Sequence, residues 1–397
     1  MSLMGRKIAA VRAYVVEGGG ADYHDQGLDH WIVGQVSTPM SLFPEYKATR
    51  LSFGINALKS LVVEVEADNG VVGFGISTGG YPAAWLVMNH LQNFVVGKDA
   101  NQIEIIWEQM YRASLYYGRK GIVMNAISAI DIALWDLLGK LRQEPVYAML
   151  GGKVREELTF YATGPRPDLA KEMGFVGGKM PLVYSPSDGM DGLKKSIEAA
   201  ASMREKCGDE FLLMWDCWMS LDLSYAKRLL KACSELNFHW LEECFNPDDY
   251  WSYRDFKKAA GNQVMVTGGE HEATRYGFRM LIEDCDLDVI QPDIGWCGGM
   301  TELVKIGNLA EAHGKMIIPH GSGVYSYHYV TTKVNSPITE CLMMAPKADK
   351  VIPQYFPLLK EEPIPVNGKM KVGDKPGFGV ELNKDKTLIS VLKGERL

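Results

Sequence analysis

The sequence lacks several features that mark other classes of protein. No uninterrupted apolar run approaches the roughly 18 residues that a membrane-spanning helix requires, and the amino terminus lacks the apolar core of a signal peptide. Positive charge is not in excess either, because the formal net charge is −7 and the pI is about 5.7. We therefore expect a cytoplasmic protein that binds neither nucleic acid nor a membrane.

Paired cysteines are also missing. The seven cysteines form no C-x-x-C pair and are odd in number, and all lie in the second half of the chain: Cys207, Cys217, Cys233, Cys244, Cys285, Cys297 and Cys341. In a chain of 397 residues, this pattern favours reduced, buried or half-buried thiols over a disulfide or zinc framework.

The first 150 residues have the pattern of an α+β unit. Residues 7–16 alternate like a strand, and Asp68-Asn69-Gly70 is a hairpin signal between the apolar runs 61–67 and 71–76. A three-stranded antiparallel sheet is therefore expected. Helical periodicity follows over residues 85–94, 102–115 and 123–141.

Residues 21–53 have no clear periodicity and are rich in Pro, Asp, His and aromatic residues. They are predicted to form a long loop, and such loops in compact domains are often functional lids. The candidates in this loop for meeting an anionic ligand are His24, His30, Lys47 and Arg50. An isolated basic residue in a loop is, however, more often solvated surface than a ligand contact.

Five short apolar runs in the second half end in an acid or a histidine. The terminal residues are Asp216, Glu242, Glu270, Asp293 and His320, spaced by 26, 28, 23 and 27 residues. This spacing is the length of one βα unit, and helical patterns separate the runs, so consecutive βα units are predicted. With two earlier strands near 158–163 and 174–180, they predict a parallel barrel over residues 151–345.

The remaining residues, 346–397, are rich in Pro and Gly and are too poor in βα units to extend the barrel. We expect this tail to pack back on the first unit.

A parallel barrel places its chemistry at the carboxyl ends of its strands. Asp216, Glu242 and Glu270 can there converge on one hard cation such as Mg²⁺, although any one of them alone would more often be a helix cap or an ion-pair partner. His320 alone would more often be a structural histidine. With Asp293 one βα unit earlier, a general base held in one tautomer is the better interpretation.

This series, extended by Glu340, resembles the enolase superfamily in its mandelate racemase subgroup. The resemblance covers nearly the whole chain and implies an α/β fold: a modified TIM barrel, (β/α)₇β, with an α+β capping domain that the C-terminal tail completes. Residues 161–175, 215–220, 291–299 and 319–322 are similar to the L-rhamnonate dehydratase family of that superfamily.

The resemblance also implies residue roles. Asp216, Glu242 and Glu270 would bind one Mg²⁺ per subunit, Asp293 and His320 would form the catalytic dyad, and Glu340 would stabilise the enolate. It further implies a homo-oligomer and a sugar-acid substrate. The implied substrate contacts are Glu340 together with His24, Arg50, Lys179 and His271, of which His271 has support of the metal ligands as an alternative role.

One departure from the subgroup narrows the reaction. Its racemases carry Lys-x-Lys at the second strand end, whereas this chain has Lys179-Met180-Pro181. Because Pro181 cannot move a proton, elimination with one base is favoured over racemisation. Glu340 would have to stay protonated to donate a hydrogen bond, which neighbouring carboxylates favour.

The implied reaction is Mg²⁺-dependent dehydration of L-rhamnonate to 2-keto-3-deoxy-L-rhamnonate. A dehydratase of another aldonic acid, L-mannonate or L-lyxonate, is an alternative, as is an epimerase or cycloisomerase of the same fold. A third alternative is a barrel that has lost its catalytic activity and serves as a binding or assembly module. The complete set of candidate metal ligands, base and acid argues against it.

Overall fold

The structure is a computed structural model that describes residues 6–17, 26–27, 29–34, 36–47, 50–53, 55–321, 323–383, 385 and 387–394. Its strands are β1 (Ile8–Val16), β2 (Ser60–Ala67), β3 (Val72–Thr78), β4 (Leu158–Thr163), β5 (Gly177–Pro181), β6 (Leu212–Asp216), β7 (Phe238–Glu242), β8 (Met265–Gly268), β9 (Val289–Ile290), β10 (Met316–Ile317), β11 (Thr339–Leu342), β12 (Leu359–Lys360), β13 (Lys369–Met370), β14 (Glu381–Leu382) and β15 (Leu388–Val391).

The α-helices are α1 (Trp31–Gly34), α2 (Ile55–Leu58), α3 (Gly80–Asn89), α4 (Ile103–Ser114), α5 (Ile122–Arg142), α6 (Val146–Met149), α7 (Pro167–Glu172), α8 (Gly189–Cys207), α9 (Leu223–Glu235), α10 (Tyr250–Ala260), α11 (Thr274–Arg279), α12 (Gly299–Ala312) and α13 (Gly323–Val330). Short 3₁₀ turns lie at Pro39–Leu42, Pro44–Tyr46, Leu51–Phe53, Leu91–Phe94 and Pro186–Asp188, and a π turn at Met280–Asp284 extends α11.

The capping domain is an antiparallel sheet in the order β15-β1-β2-β3, with α3, α4 and α5 packed near it. Its fourth strand, β15, comes from the C-terminal tail and pairs with β1 from Ala13↔Val391 to Val16↔Leu388. Two glycines of β3 let α5 approach closely. A Cβ on Gly73 would lie 2.3 Å from Ala133 O, and one on Gly75 would lie 2.2 Å from Ala129 O.

Helix α5 lies at the centre of this domain. By length and composition it is apolar enough to cross a membrane, with a mean hydropathy of 1.6, but 83% of that segment is buried inside the protein. No uninterrupted apolar run of that length exists, because Asp131 and Asp136 interrupt the sequence. α5 is therefore placed as a core helix.

Strands β4 to β11 form one parallel sheet in the order β11-β4-β5-β6-β7-β8-β9-β10, with seven helices, α7 to α13, between them. At one end of the sheet, Ile317 of β10 contacts the segment that leads into β11: its N–H donates to Asn335 O at 3.0 Å, and its carbonyl accepts from the Ser336 hydroxyl. The predicted (β/α)₇β modified TIM barrel with an α+β capping domain is confirmed. The boundaries near residues 150 and 345 stay predictions.

Three local features differ from the sequence-based expectation. The described part of the loop 21–53 contains α1 and three 3₁₀ turns. The turn Pro39–Leu42 is capped by Thr38, whose hydroxyl accepts from Met40 N at 3.1 Å. The predicted strands 288–293 and 315–320 pair only over β9 and β10, after which Asp293 and His320 meet as a single bridge. The third is α13, which is too short and too buried to show a helical period.

The apolar core follows this architecture, with one large cluster in the barrel, a second in the capping domain and a small one inside the barrel around Tyr161, Met214 and Trp240. All seven cysteines lie among the described residues, and each is buried and free of a disulfide. The prediction of reduced, buried thiols is confirmed.

Candidate active site

The barrel brings the predicted strand-end residues to one mouth. Asp216 at the end of β6 is in register with Glu242 at the end of β7, and Glu242 with Thr267 of β8. Asp293 and His320 follow β9 and β10, and all five predicted strand-end residues are buried. Parallel strands end on the same side, so residues far apart in sequence become neighbours.

Asp293 holds the imidazole of His320 in one orientation. Its Oδ2 lies 3.0 Å from Nδ1 of His320, and its Oδ1 accepts the Gly295 N–H at 2.7 Å. Nε2 of His320 lies on the other side of the ring, 3.3 Å from Oε2 of Glu270. An acceptor at Nδ1 assigns the remaining ring nitrogen, Nε2, to proton transfer.

Burial lowers the pKa of His320. The carboxylates of Glu270 and Glu340 and the hydrogen bond to Asp293 outweigh this effect and raise the pKa to about 10. With these carboxylates ionised, His320 is therefore an imidazolium near neutral pH. Its capacity to accept a proton depends on how much of this negative charge is balanced.

Lys179 of β5 lies among the carboxylates and not at their edge. Its ammonium contacts Glu242 closely, lies 2.8 Å from Oε1 of Glu340 and lies 4.0 Å from Oδ2 of Asp216. The side chain is fully buried, so its charge must be compensated there. Glu242 Oε2 also accepts from Gln291 Nε2 at 2.7 Å.

Burial raises the pKa values of both Glu242 and Glu340, and the Lys179 ammonium lowers both. Burial raises the pKa of Glu340, but Lys179, His320 and the Thr163 hydroxyl lower it to about 2. Burial raises the pKa of Glu242 to about 8 in spite of Lys179. The ammonium of Lys179 thus shifts the pKa of Glu340 downwards, which is opposite to the direction expected from the neighbouring carboxylates alone.

The mouth holds a cavity of about 10 Å³, the space of about one water molecule. Its lining includes Asp216, Glu270, His320 and Arg50. Oε2 of Glu270 is buried and accepts no hydrogen bond from the part of the chain that the structure describes. Among the described residues, no three His, Cys, Asp or Glu side chains already converge as metal ligands, which is consistent with the position of Lys179 in their midst.

The chemistry of this donor set nevertheless fits Mg²⁺. The candidate ligands offer only carboxylate oxygens, and Asp216 and Glu242 are cross-strand neighbours in register. Glu270 lines this space, and its Oε2, 3.3 Å from Nε2 of His320, accepts no hydrogen bond among the described residues, so it could serve as a ligand to a hard cation.

His271 lies next to the ligand candidate Glu270. Its Nδ1 is 3.3 Å from Oε2 of Glu243 and 3.4 Å from Oε1 of Glu270. Burial lowers the pKa of His271, and these two carboxylates raise it above its ordinary value. Glu243, to which sequence reasoning assigned no role, also accepts the Glu270 N–H at 3.2 Å and thereby fixes the backbone of that residue.

The basic residues of the capping loop separate into different environments. Arg50 lines the small cavity, and its guanidinium carbon lies 3.9 Å from the ring centre of Trp218. His30 is buried away from the cavity, with Nε2 3.0 Å from Met344 O, and Lys47 pairs with Asp188 at 2.8 Å. His24 lies outside the described residues.

Aromatic residues around the site were missed by sequence reasoning. Trp218 contacts His271, which contacts Trp296, which contacts His320, with ring centres 5.5 to 5.9 Å apart. Trp218 and Trp296 also line a larger cavity of about 230 Å³ between the barrel and the capping domain. The available signal was their position just after Asp216 and Asp293 in the sequence.

Two family models match this chain. The mandelate racemase / muconate lactonizing enzyme N-terminal domain matches residues 42–151, and the enolase C-terminal domain-like family matches residues 168–386. The second match alone covers more than half of the chain.

Individual relatives agree with these matches. A protein of Caldivirga maquilingensis that carries the provisional name L-rhamnonate dehydratase is 58% identical over 97% of this chain and 96% of its own length. The crystal structure of rhamnonate dehydratase from Gibberella zeae complexed with Mg has a TM-score of 0.94 at 47% identity, covering 96% of this chain and 95% of that one.

A more distant structure, a racemase from Streptomyces coelicolor with bound magnesium, has a TM-score of 0.76 at 26% identity and covers 94% of this chain and 97% of its own. The same fold therefore supports more than one reaction. The family matches and the two near relatives show that the chain belongs to the mandelate racemase / muconate lactonizing enzyme family of the enolase superfamily and is a dehydratase.

Proposed function

We propose that this dehydratase uses Mg²⁺ to convert L-rhamnonate to 2-keto-3-deoxy-L-rhamnonate and water. The observation that carries the proposal is the small cavity lined by His320, Asp216, Glu270 and Arg50. This cavity brings together a candidate base, two carboxylates that could bind a metal ion, and a guanidinium that could pair with an acidic substrate. The likeness to the Gibberella zeae enzyme supports the choice of substrate.

Asp216, Glu242 and Glu270 would hold one Mg²⁺ per subunit. When bound, the ion supplies positive charge that stabilises the anion developing beside the substrate carboxylate and offsets the carboxylate charge that raises the pKa of His320.

His320 then acts as the single base. Its Nε2 takes the proton from C2, while Asp293 keeps Nδ1 as the donor of the hydrogen bond at 3.0 Å. The C3–O bond breaks as the C3 hydroxyl leaves with a proton from His320, which balances the reaction as loss of water. The resulting enol tautomerises to the 2-keto acid. Pro181 offers no second base on β5.

Substrate contacts are proposed for Arg50, Lys179, Glu340, His24 and His271. The Lys179 ammonium, 2.8 Å from Glu340, is a donor that stays charged and can hydrogen-bond an enolate oxygen. Because this cation keeps Glu340 ionised, Lys179 takes over the donor role that the sequence assigned to a protonated Glu340.

The test is 2-keto acid formation from L-rhamnonate, L-mannonate and L-lyxonate with and without Mg²⁺. His320→Asn keeps the side-chain size but cannot move the proton, so we expect kcat to fall about 10²- to 10⁴-fold. His313→Asn is the matched control, since His313 lies at the end of α12, partly exposed near Glu283. It should retain activity.

Other results would overturn parts of the proposal. Undiminished turnover by His320→Asn would remove His320 from its role. Exchange of the C2 proton without 2-keto acid would indicate an epimerase, and product only from another aldonate would change the substrate. A protein with no turnover and no Mg²⁺-dependent change in Tm would fit the binding module. The cytoplasmic location and the homo-oligomer stay predictions.

A further inference from the structure

Trp218 occupies an unusual place between the two domains. It lies two residues after Asp216, in the loop that leads from β6 to α9, and its side chain is buried. It lines both the small cavity with Asp216 and His320 and the larger cavity between the domains. Trp218 therefore lies beside Arg50 at the place where the capping loop meets the barrel mouth.

The backbone at this place is strained. Trp218 has φ +39° and Met219 has φ +63°, so two consecutive residues with side chains adopt the left-handed region that favours glycine. Such strain persists only where surrounding contacts hold it, and it concentrates at functional sites. Here the Trp218 N–H donates to Asp216 Oδ1 at 3.1 Å, and Leu221 N donates to Cys244 O at 3.0 Å.

The strained bend aims the indole at the capping loop. The guanidinium of Arg50 stacks on the ring with its carbon 3.9 Å from the ring centre. The ring of Phe53 meets the indole edge-on at 4.8 Å. Trp218 is thus a barrel residue on which the 50–53 end of the capping loop rests.

A guanidinium that stacks on an indole uses its flat face. The N–H groups at its edge can then still donate hydrogen bonds to an anion. A side chain as long as that of arginine loses rotamer freedom when it binds a ligand, so a surface that orients it beforehand reduces that entropy cost.

We propose that Trp218 is a positioning residue that holds Arg50 in place to receive the sugar-acid substrate. This inference rests on the proposed function, because it takes the substrate to bind at the barrel mouth beside Arg50, Asp216 and His320. It gives Trp218 no contact with the reacting atoms. Its effect passes through Arg50, so it must appear in substrate binding and must depend on Arg50.

Three variants test this coupling: Trp218→Leu, which removes the aromatic face, Trp218→Phe, which keeps one, and Trp218→Leu combined with Arg50→Met. We expect Trp218→Leu to raise KM for L-rhamnonate about 5- to 30-fold, with kcat changed less than about 3-fold. Trp218→Phe should restore most of the affinity. In the Arg50→Met background, the further loss from Trp218→Leu should be under about 2-fold.

Hydrogen exchange supplies a readout without substrate: residues 50–53 should exchange faster in Trp218→Leu than in the wild type, while α5 is unchanged. An equal loss in both Arg50 backgrounds, a fall in kcat alone, or unchanged KM and exchange would overturn the proposal. If Trp218→Leu does not fold, the same KM comparison with Trp218→Phe and Trp218→Tyr decides it. Lack of turnover by the wild type would instead refute the proposed function, and exchange would still report on Arg50.

Discussion

Two regions of this protein contain groups of buried carboxylates, and the charges in the two groups are compensated differently. At the barrel mouth, six of them share three basic side chains, Lys179, His271 and His320. The six are Asp216, Glu242, Glu243, Glu270, Asp293 and Glu340. On α5 of the capping domain, Asp131 and Asp136 are separate, and each has its own partners.

The partners on α5 are mainly fixed backbone and hydroxyl donors. Asp136 accepts from Phe74 N at 3.0 Å, from Phe378 N at 3.1 Å and from Lys140 Nζ at 2.6 Å, so it joins α5 to β3 and to the C-terminal tail. Asp131 accepts from Thr301 N at 2.9 Å and from the Thr301 hydroxyl, joining α5 to α12 of the barrel.

This difference in compensation indicates different roles for the carboxylates of α5 and those of the barrel mouth. Carboxylates that each have dedicated donors join α5 to its neighbours: Asp136 to β3 and the C-terminal tail, and Asp131 to the barrel. At the mouth, one ammonium, that of Lys179, lies close to Glu242 and Glu340 and 4.0 Å from Asp216, and such dense clusters of charged groups are typical of sites that bind a cation or transfer protons.

The largest expected effect is that of removing the shared cation with Lys179→Met. Uncompensated carboxylates would remain buried, so without Mg²⁺ the free energy of unfolding should fall by about 3 to 5 kcal/mol. Added Mg²⁺ should recover part of it by returning positive charge. Denaturant unfolding with and without Mg²⁺ measures both. Lys195→Met, on an exposed ion pair with Asp191, is the control and should leave the free energy of unfolding nearly unchanged.

A Lys179→Met protein as stable as the wild type would show that the mouth does not need this cation. Loss of stability without recovery by Mg²⁺ would separate Lys179 from the proposed metal site.

A smaller effect is expected from Asp136→Asn. The amide replaces one of two acceptor oxygens by a donor that would face the N–H of Phe74 or Phe378. A buried donor would lose its partner, at a cost of about 1 to 3 kcal/mol. Chemical denaturation measures this loss, which should be independent of Mg²⁺. A Mg²⁺-dependent loss would contradict the separation of the two regions.

The smallest effect is that of Asp131→Asn, and it depends on pH. Burial raises the pKa of Asp131 to about 7, against the lowering effect of its bonds from Thr301. Between about pH 4 and pH 7 the native state therefore keeps a proton that the unfolded chain releases, so wild-type stability falls as pH rises through this range. The amide of the variant has no such proton to release.

Urea unfolding at several pH values should thus show Asp131→Asn gaining relative to the wild type from about pH 4 to pH 7 and no further above it. The amide can accept from Thr301 N and donate to its hydroxyl, so below about pH 4 the two proteins should differ by under about 1 kcal/mol. A constant difference across the range would show that Asp131 is ionised in the native protein throughout.

The regular repeat of the barrel could be predicted because it is local. A buried parallel strand needs a short apolar run and its helix needs a 3.6-residue period, so the spacing of Asp216, Glu242, Glu270, Asp293 and His320 indicated both the fold and the candidate strand ends. Together with the family resemblance, this was enough to select the residues that the structure places around one mouth. For β15, the sequence predicted only that the tail packs back on the first domain. Four residues are too few to show the period of a strand.

The charge state and the supports of the site depend on contacts between distant residues. Lys179 and Glu340 are 161 positions apart, yet their contact at 2.8 Å lowers the pKa of Glu340, opposite to the direction expected from the sequence. The structural role of His30 depends on its contact with Met344 O, and the proposed positioning role of Trp218 depends on the packing of Arg50 on its ring. By itself, the sequence determined the repeating units and the residues at their ends. Only the tertiary structure decided which charges and rings meet, since electrostatic and packing energies depend on distance in space and not along the chain.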